Sequence, residues 1–193
     1  MQIRGNEDLR VQKTIAAIHD TFSELLLKKD YDKITVKLLC DCAKINKKTF
    51  YRYYETMDEL LAERLESLSR AFLERIADYH VPDDLALVNR EFYRYALEQG
   101  ELYERLVCSV SHRAISGKML GEIINRTWNT SASFRKLDKY EQNLLLVFIN
   151  SIGVELYRQW VADGKKMPLE TVISLSGALL CNGVNGYMET AKN

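Results

Sequence analysis

Residues Thr35 to Tyr54 read TVKLLCDCAKINKKTFYRYY, two short helices joined by a tight turn, the second of them basic and aromatic. Val36, Leu39, Cys40 and Ala43 fall at i, i+3, i+4 and i+7 and form one narrow apolar stripe, with Lys37, Asp41 and Lys44 on the other side. Thr35 stands directly before the stripe, where its hydroxyl can accept from an otherwise unpaired N–H of the first turn. Ile45 continues the apolar set after the helix pattern is lost, and Asn46 offers a second side-chain cap three residues before Thr49. On the second helix Phe50 and Tyr54 lie four apart and are expected to pack back on the first. Lys47, Lys48, Thr49, Tyr51, Arg52 and Tyr53 are then left to face outward.

That outward face has the chemistry of a nucleic-acid contact. Lys and Arg neutralise phosphates and release counterions, Thr and Tyr hydroxyls donate to phosphate oxygens, and the helix start at Asn46 adds its positive dipole end. Sequence would be read by whichever of Lys47, Lys48, Thr49 and Tyr51 reaches base edges, lysine suiting guanine acceptors and a threonine methyl the thymine methyl. With the cap Thr35 and with Lys37, the candidate contacts to double-stranded DNA are Thr35, Lys37, Asn46, Lys47, Lys48, Thr49, Tyr51, Arg52 and Tyr53. The net charge of zero argues against a surface devoted to DNA as a whole. Its distribution argues otherwise, because Lys37, Lys44, Lys47, Lys48 and Arg52 are opposed only by Asp41 in that interval.

Residues from about Val11 to Leu65 resemble the DNA-binding domain of the TetR family of bacterial transcriptional regulators. The residues that carry the resemblance are Ile15, Ala16, Phe22, Leu25, Thr35, Val36, Leu39, Ala43, Asn46, Thr49, Phe50, Tyr51, Tyr53, Tyr54, Asp58, Glu59 and Leu60. The chain departs from the family pattern at Lys44 and Lys48, where glycine is usual, and at Met57, where lysine is frequent. The resemblance implies a ligand-responsive regulator, read as a repressor, that binds a pseudo-palindromic operator as a homodimer through a helix-turn-helix at about residues 35–54.

Composition bounds the rest. With two prolines and nine glycines in 193 residues, and many Leu, Ile, Ala, Glu, Lys and Arg, an all-α fold with short connections is expected. No apolar run approaches the roughly 20 residues of a membrane helix, and MQIRGNEDLR has no signal-type segment, so a soluble cytoplasmic protein with no membrane partner is expected. The four cysteines suggest reduced thiols. Cys40 and Cys42, two apart on a helix, point in different directions, and no histidine stands at zinc spacing, so no metal is expected. No glycine-rich phosphate loop and no nucleophile–base pairing is visible, so neither a cofactor nor an enzyme is expected.

Outward from the central stretch, Val11, Ile15, Ile18, Phe22 and Leu25 or Leu26 make the stripe of a first helix ending near Lys28. From Met57 a helical pattern runs to near His80 and Pro82 and would link two domains, 8–56 and 57–193. The reading is thus a three-helix N-terminal helix-turn-helix domain followed by a helical-bundle domain for ligand binding and dimerisation. Further helices are expected from Leu85, after Gly100, within ISGKMLGEIINRTWNTSASF, and over 138–162 and 169–190. The last two are apolar on more than one side, which fits either central helices of a monomer or, as the resemblance implies, a four-helix homodimer interface. For an unknown small-molecule effector, candidate cavity residues are Tyr93, Tyr103, Cys108, His112, Trp128, Phe148 and Glu155, each of which also fits ordinary core. Two rivals are a helical protein-interaction partner or co-regulator acting without direct operator binding, and an all-helical enzyme built around Glu155 or His112.

Overall fold

The computed structural model of the chain describes residues 9–109 and 113–190. Among the described residues every regular element is helical. The α-helices are α1 (Leu9–Lys28), α2 (Val36–Ala43), α3 (Lys47–Tyr51), α4 (Met57–Arg75), α5 (Leu85–Glu98), α6 (Gly100–Cys108), α7 (Arg113–Trp128), α8 (Lys139–Ala162) and α9 (Leu169–Thr190). Short 3-10 turns stand at Tyr31–Lys33 and Phe134–Lys136. No helix among the described residues is long and apolar enough to cross a membrane.

Side-chain caps fix where the helices of the central stretch begin. Thr35 Oγ1 accepts from Leu38 N at 3.1 Å, and Asn46 Oδ1 accepts from Thr49 N at 2.8 Å. Such a cap contributes about 1 kcal/mol. Between the two helices Lys44 takes a left-handed conformation, φ 54° and ψ 41°, and its N–H bonds back to Cys40 O. Thr56 caps α4 by accepting from Glu59 N at 3.1 Å, while the Glu59 carboxylate accepts from Glu55 N at 2.7 Å. Asp138 and Glu141 form a reciprocal capping box on α8.

Three apolar cores are stacked along the molecule. In the first, Ile18, Phe22 and Leu26 of α1 meet Leu39 of α2 and Phe50 of α3. Leu60, Leu61 and Leu65 of α4 share this core, and Leu106 of α6 joins it. The second is aromatic, built from Phe72, Tyr93, Tyr103, Tyr157 and Trp160 with rings mostly edge to face. The third gathers Leu85, Trp128, Phe134, Ile149 and Leu180. Helix α4 therefore runs from the first core into the second, and α5 packs on α9 while α8 packs on both α7 and α9.

Three helix ends differ from the sequence expectation. Helix α3 stops at Tyr51 rather than continuing to Tyr54, because Tyr53 N turns in to Phe50 O at 2.9 Å and the tightened turn buries Tyr54. Helix α4 ends at Arg75, well short of His80. Ile76 is buried there, Tyr79 N bonds to Ile76 O at 3.0 Å, and His80 N donates to Asp84 Oδ2 at 2.8 Å, so local turns replace the helix ladder. Helix α7 ends at Trp128 instead of running on toward Phe134. The Thr130 hydroxyl donates to Thr127 O at 2.7 Å and Ser131 Oγ accepts from Phe134 N at 3.3 Å, a competition with the backbone ladder typical of Ser and Thr.

Candidate nucleic-acid interface and buried cavity

The capped unit places its basic side chains together. Phe50 and Tyr54 are buried against α1 and α2, and their burial turns Lys47, Lys48, Tyr51 and Arg52 out into solvent, with Thr49 half-buried between them. Thr49 Oγ1 donates to Asn46 Oδ1 at 3.0 Å, so the cap and the helix start are held as one piece. Thr35, Lys37 and Asn46 are exposed at the starts of α2 and α3. Tyr53 is half-buried beside the first core, and the Arg52 guanidinium lies 5.9 Å from its ring centroid. Met57 packs against the same core. Cys40 is buried and Cys42 exposed, as two residues two apart on a helix require.

Behind this face a hydrogen-bonded cluster ties three helices. His19 of α1 lies 2.9 Å from the Tyr54 hydroxyl at the end of the α3 turn, and Glu63 of α4 is 3.9 Å from the same imidazole nitrogen. Burial holds the His19 pKa below the ordinary imidazole value, against the opposing pull of Glu63. Tyr31 is hydrogen-bonded to Asp58 at the start of α4, a second tie between the α1–α2 connection and that helix.

A partly open cavity of about 100 Å³ lies where the cores meet. Leu65, Leu68 and Phe72 bring α4 to its wall, facing Val88, Asn89 and Phe92 of α5. Tyr103 of α6, Trp128 of α7, Gly153 of α8 and Leu180 of α9 complete it. At the far end of α4, Arg75 pairs with Glu91 at 2.7 Å and with Glu98, fastening that helix to α5.

The sequence-derived cavity residues do not all converge there. Tyr103 and Trp128 are on the wall. Tyr93 is fully buried in the adjoining aromatic core, stacked edge-on to Tyr157 and Trp160, and is not on the wall. Cys108 faces a separate outer cleft beside Leu26, Tyr31 and Val161, and burial raises its thiol to about 11. Phe148 is 36% exposed, its ring lying over Gly183 on the outer face of α8 and α9, because residue 148 faces away from the bundle interior. Glu155 is ion-paired to Arg158 and half-exposed. His112 lies outside the described residues, as do residue 8 and residues 191–193 of the expected domains. The wall residues that sequence reading missed, among them Leu65, Leu68, Phe72 and Val154, are apolar at helical spacing and indistinguishable from core. Asn89 was detectable, because it interrupts the stripe of Leu85, Val88, Phe92 and Ala96 with a polar side chain that is only 5% exposed.

A capped, outward-facing basic helix in a small module braced by α1 and α4 is the arrangement of a helix-turn-helix. Residues 18–63 match the sequence model of the bacterial regulatory proteins of the tetR family. The whole fold resembles that of a TetR transcriptional regulator from Streptococcus agalactiae, TM-score 0.67 at 22% identity, covering 89% of this chain and 95% of that one. It also resembles NalD of Pseudomonas aeruginosa, the secondary repressor of the MexAB-OprM multidrug efflux pump, TM-score 0.66 at 15% identity over 90% of this chain and 97% of that one. A third likeness is to FadR of Bacillus subtilis in complex with stearoyl-CoA, TM-score 0.65 at 17% identity over 87% and 98%. No curated protein matches the chain in sequence. Residues 18–63 thus match the tetR-family model, and the chain as a whole shares the fold of these solved regulators.

Proposed function

We propose that the protein is a ligand-responsive repressor that binds a pseudo-palindromic operator in the cytoplasm as a homodimer. The observation that carries this is the set of exposed Lys47, Lys48, Tyr51 and Arg52 on a capped helix whose other side is locked in the core. Residues 8–56 read DNA, with Thr35, Lys37, Asn46, Thr49 and Tyr53 positioning the duplex. Residues 57–193 dimerise and hold the effector, and α4 belongs to both cores. Two subunits pair through α8 and α9, whose outer faces expose Leu144, Val147, Leu175 and Leu179. The cavity is the effector site, and its contact with Leu65, Leu68 and Phe72 gives a bound molecule a direct hold on α4. A shift of α4 then displaces the reading module through Leu60 and Leu61. That a protein of this fold holds stearoyl-CoA supports an effector-binding role for the bundle.

The test is salt-dependent binding of the protein to DNA from upstream of its own gene, followed by fluorescence anisotropy. Lys47→Ala is expected to weaken binding about tenfold and lower the salt slope by about one counterion, and Tyr51→Ala to weaken it about fivefold. Absence of any salt-dependent complex, or unchanged binding in the double variant, would sink the reading. The zero net charge favours one rival, a helical co-regulator that acts through other proteins. A stable dimer that fails to bind DNA would support it.

A further inference from the structure

No Asp, Glu, Lys, Arg or His stands on the wall of the cavity among the described residues. An ionised group placed there would lose its hydration with no counter-charge to replace it. The nearby Arg158 guanidinium is occupied by Val107 O at 2.7 Å and by Glu155, and Arg75 by Glu91 and Glu98. The side chains on the wall that carry polar atoms are Ser69, Asn89, Tyr103, Thr127 and Trp128, whose indole N–H can only donate. Asn89 Nδ2 donates to Ile173 O at 3.3 Å and to Ser176 Oγ at 2.9 Å, so both its N–H groups are spent. Since a backbone carbonyl can only accept, the amide cannot be turned the other way, and Asn89 has only the acceptor Oδ1 left to offer. The Thr127 hydroxyl donates to Ile123 O at 3.0 Å, which likewise leaves it acceptor capacity alone. Ser69 and Tyr103 can serve in either sense. At Asn89 and Thr127 the groups left to offer are acceptors, and that end of the site rewards a donor. With about 100 Å³ inside and a partly open side, the site suits a small molecule rather than a long acyl chain.

From these groups we infer that the cavity takes a small uncharged alcohol or phenol, its hydrocarbon body against Leu68, Phe72 and Ile123 and its hydroxyl donating to Asn89 or Thr127. This rests on the effector reading above and names the chemical class of that site. The described wall offers no counter-charge to an acid, an amine or the charged portion of an acyl-CoA.

The test uses the full-length protein and four probes of matched length, 1-hexanol, methyl pentyl ether, hexanoate and hexylammonium, titrated calorimetrically at pH 7.5. Hexanol is expected to bind at least tenfold tighter than hexanoate or hexylammonium and about threefold or more tighter than the ether. Gly153→Leu supplies the location, because a Cβ at this wall position meets nothing within 4 Å and a larger side chain there is expected to occupy the void. It should keep the helical spectrum and lose hexanol affinity at least tenfold, and Ile123→Phe should do the same from α7. Hexanoate or hexylammonium matching hexanol, the ether matching hexanol, no hexanol binding at all, or hexanol binding unchanged in both filled variants overturns the inference. Operator binding measured in parallel separates the two readings. Hexanol that binds in the cavity and leaves operator affinity unchanged upholds the ligand class and fails the effector role, whereas hexanoate that binds there and releases DNA does the reverse.

Discussion

Lys44 holds a left-handed backbone, φ 54°, at the turn between α2 and α3, where a Cβ crowds the following carbonyl and glycine carries no such penalty. The departure from the family's glycine therefore has a measurable cost while the turn geometry itself is kept. Lys44→Gly is expected to raise the stability of the protein by about 1 kcal/mol, partly offset by the greater freedom of glycine in the unfolded chain. A urea midpoint that stays put or falls would show that the lysine contributes something the backbone argument omits. At the same scale, Asn89 acts through how its two N–H groups are spent, which its identity alone does not tell.

Among the elements, α4 is the one that joins functions, and His19 is a sensitive point in its contact with α1 and α3. Tyr54, Glu63, Arg64 and Asp20 surround its ring, and burial outweighs the favourable Glu63 charge. The native state therefore binds the imidazole proton less tightly than the unfolded chain does. Above about pH 7 both states are neutral and the contribution is fully present. As pH falls through about 6.5 the unfolded state takes up the proton first, and stability declines. Melting curves between pH 5.5 and 8 are expected to show a lower Tm on the acid side, with the slope reduced in His19→Gln. Equal slopes in the two proteins would mean that His19 is not the group responsible.

For the whole molecule, the outer faces of α8 and α9 decide whether one reading helix or two meet the DNA. Leu144 is 72% and Leu179 49% exposed, and Gly183 lets the Phe148 ring lie directly on α9 between the two exposed rows. Replacing both leucines by glutamate places like charges on the proposed interface without disturbing any core. Sedimentation is expected to show a monomer, and operator affinity to fall by tenfold or more as the second half-site contact is lost. A wild-type protein that is monomeric at micromolar concentration, or a double variant that remains dimeric, would remove α8 and α9 from the interface.

Much of the reading module was legible in the chain because its signals are local. A cap, a stripe at i, i+3, i+4 and i+7, and an aromatic pair four apart each lie within one or two turns of helix, and Thr35, Asn46, Phe50 and Tyr54 do in the structure what their spacing predicts. The helix ends at Arg75 and Trp128 were not legible, since they depend on which of several near-equal turns the surrounding core favours. The cavity was legible least of all. Sequence periodicity separates inside from outside, so Leu68, Phe72 and Val154 could be assigned to the interior, but a wall and a packed core have the same periodicity. Whether six helices close completely or leave 100 Å³ between them is settled only when their side chains meet in three dimensions, and that same meeting set Tyr103 and Trp128 on the wall and Phe148 on the outside.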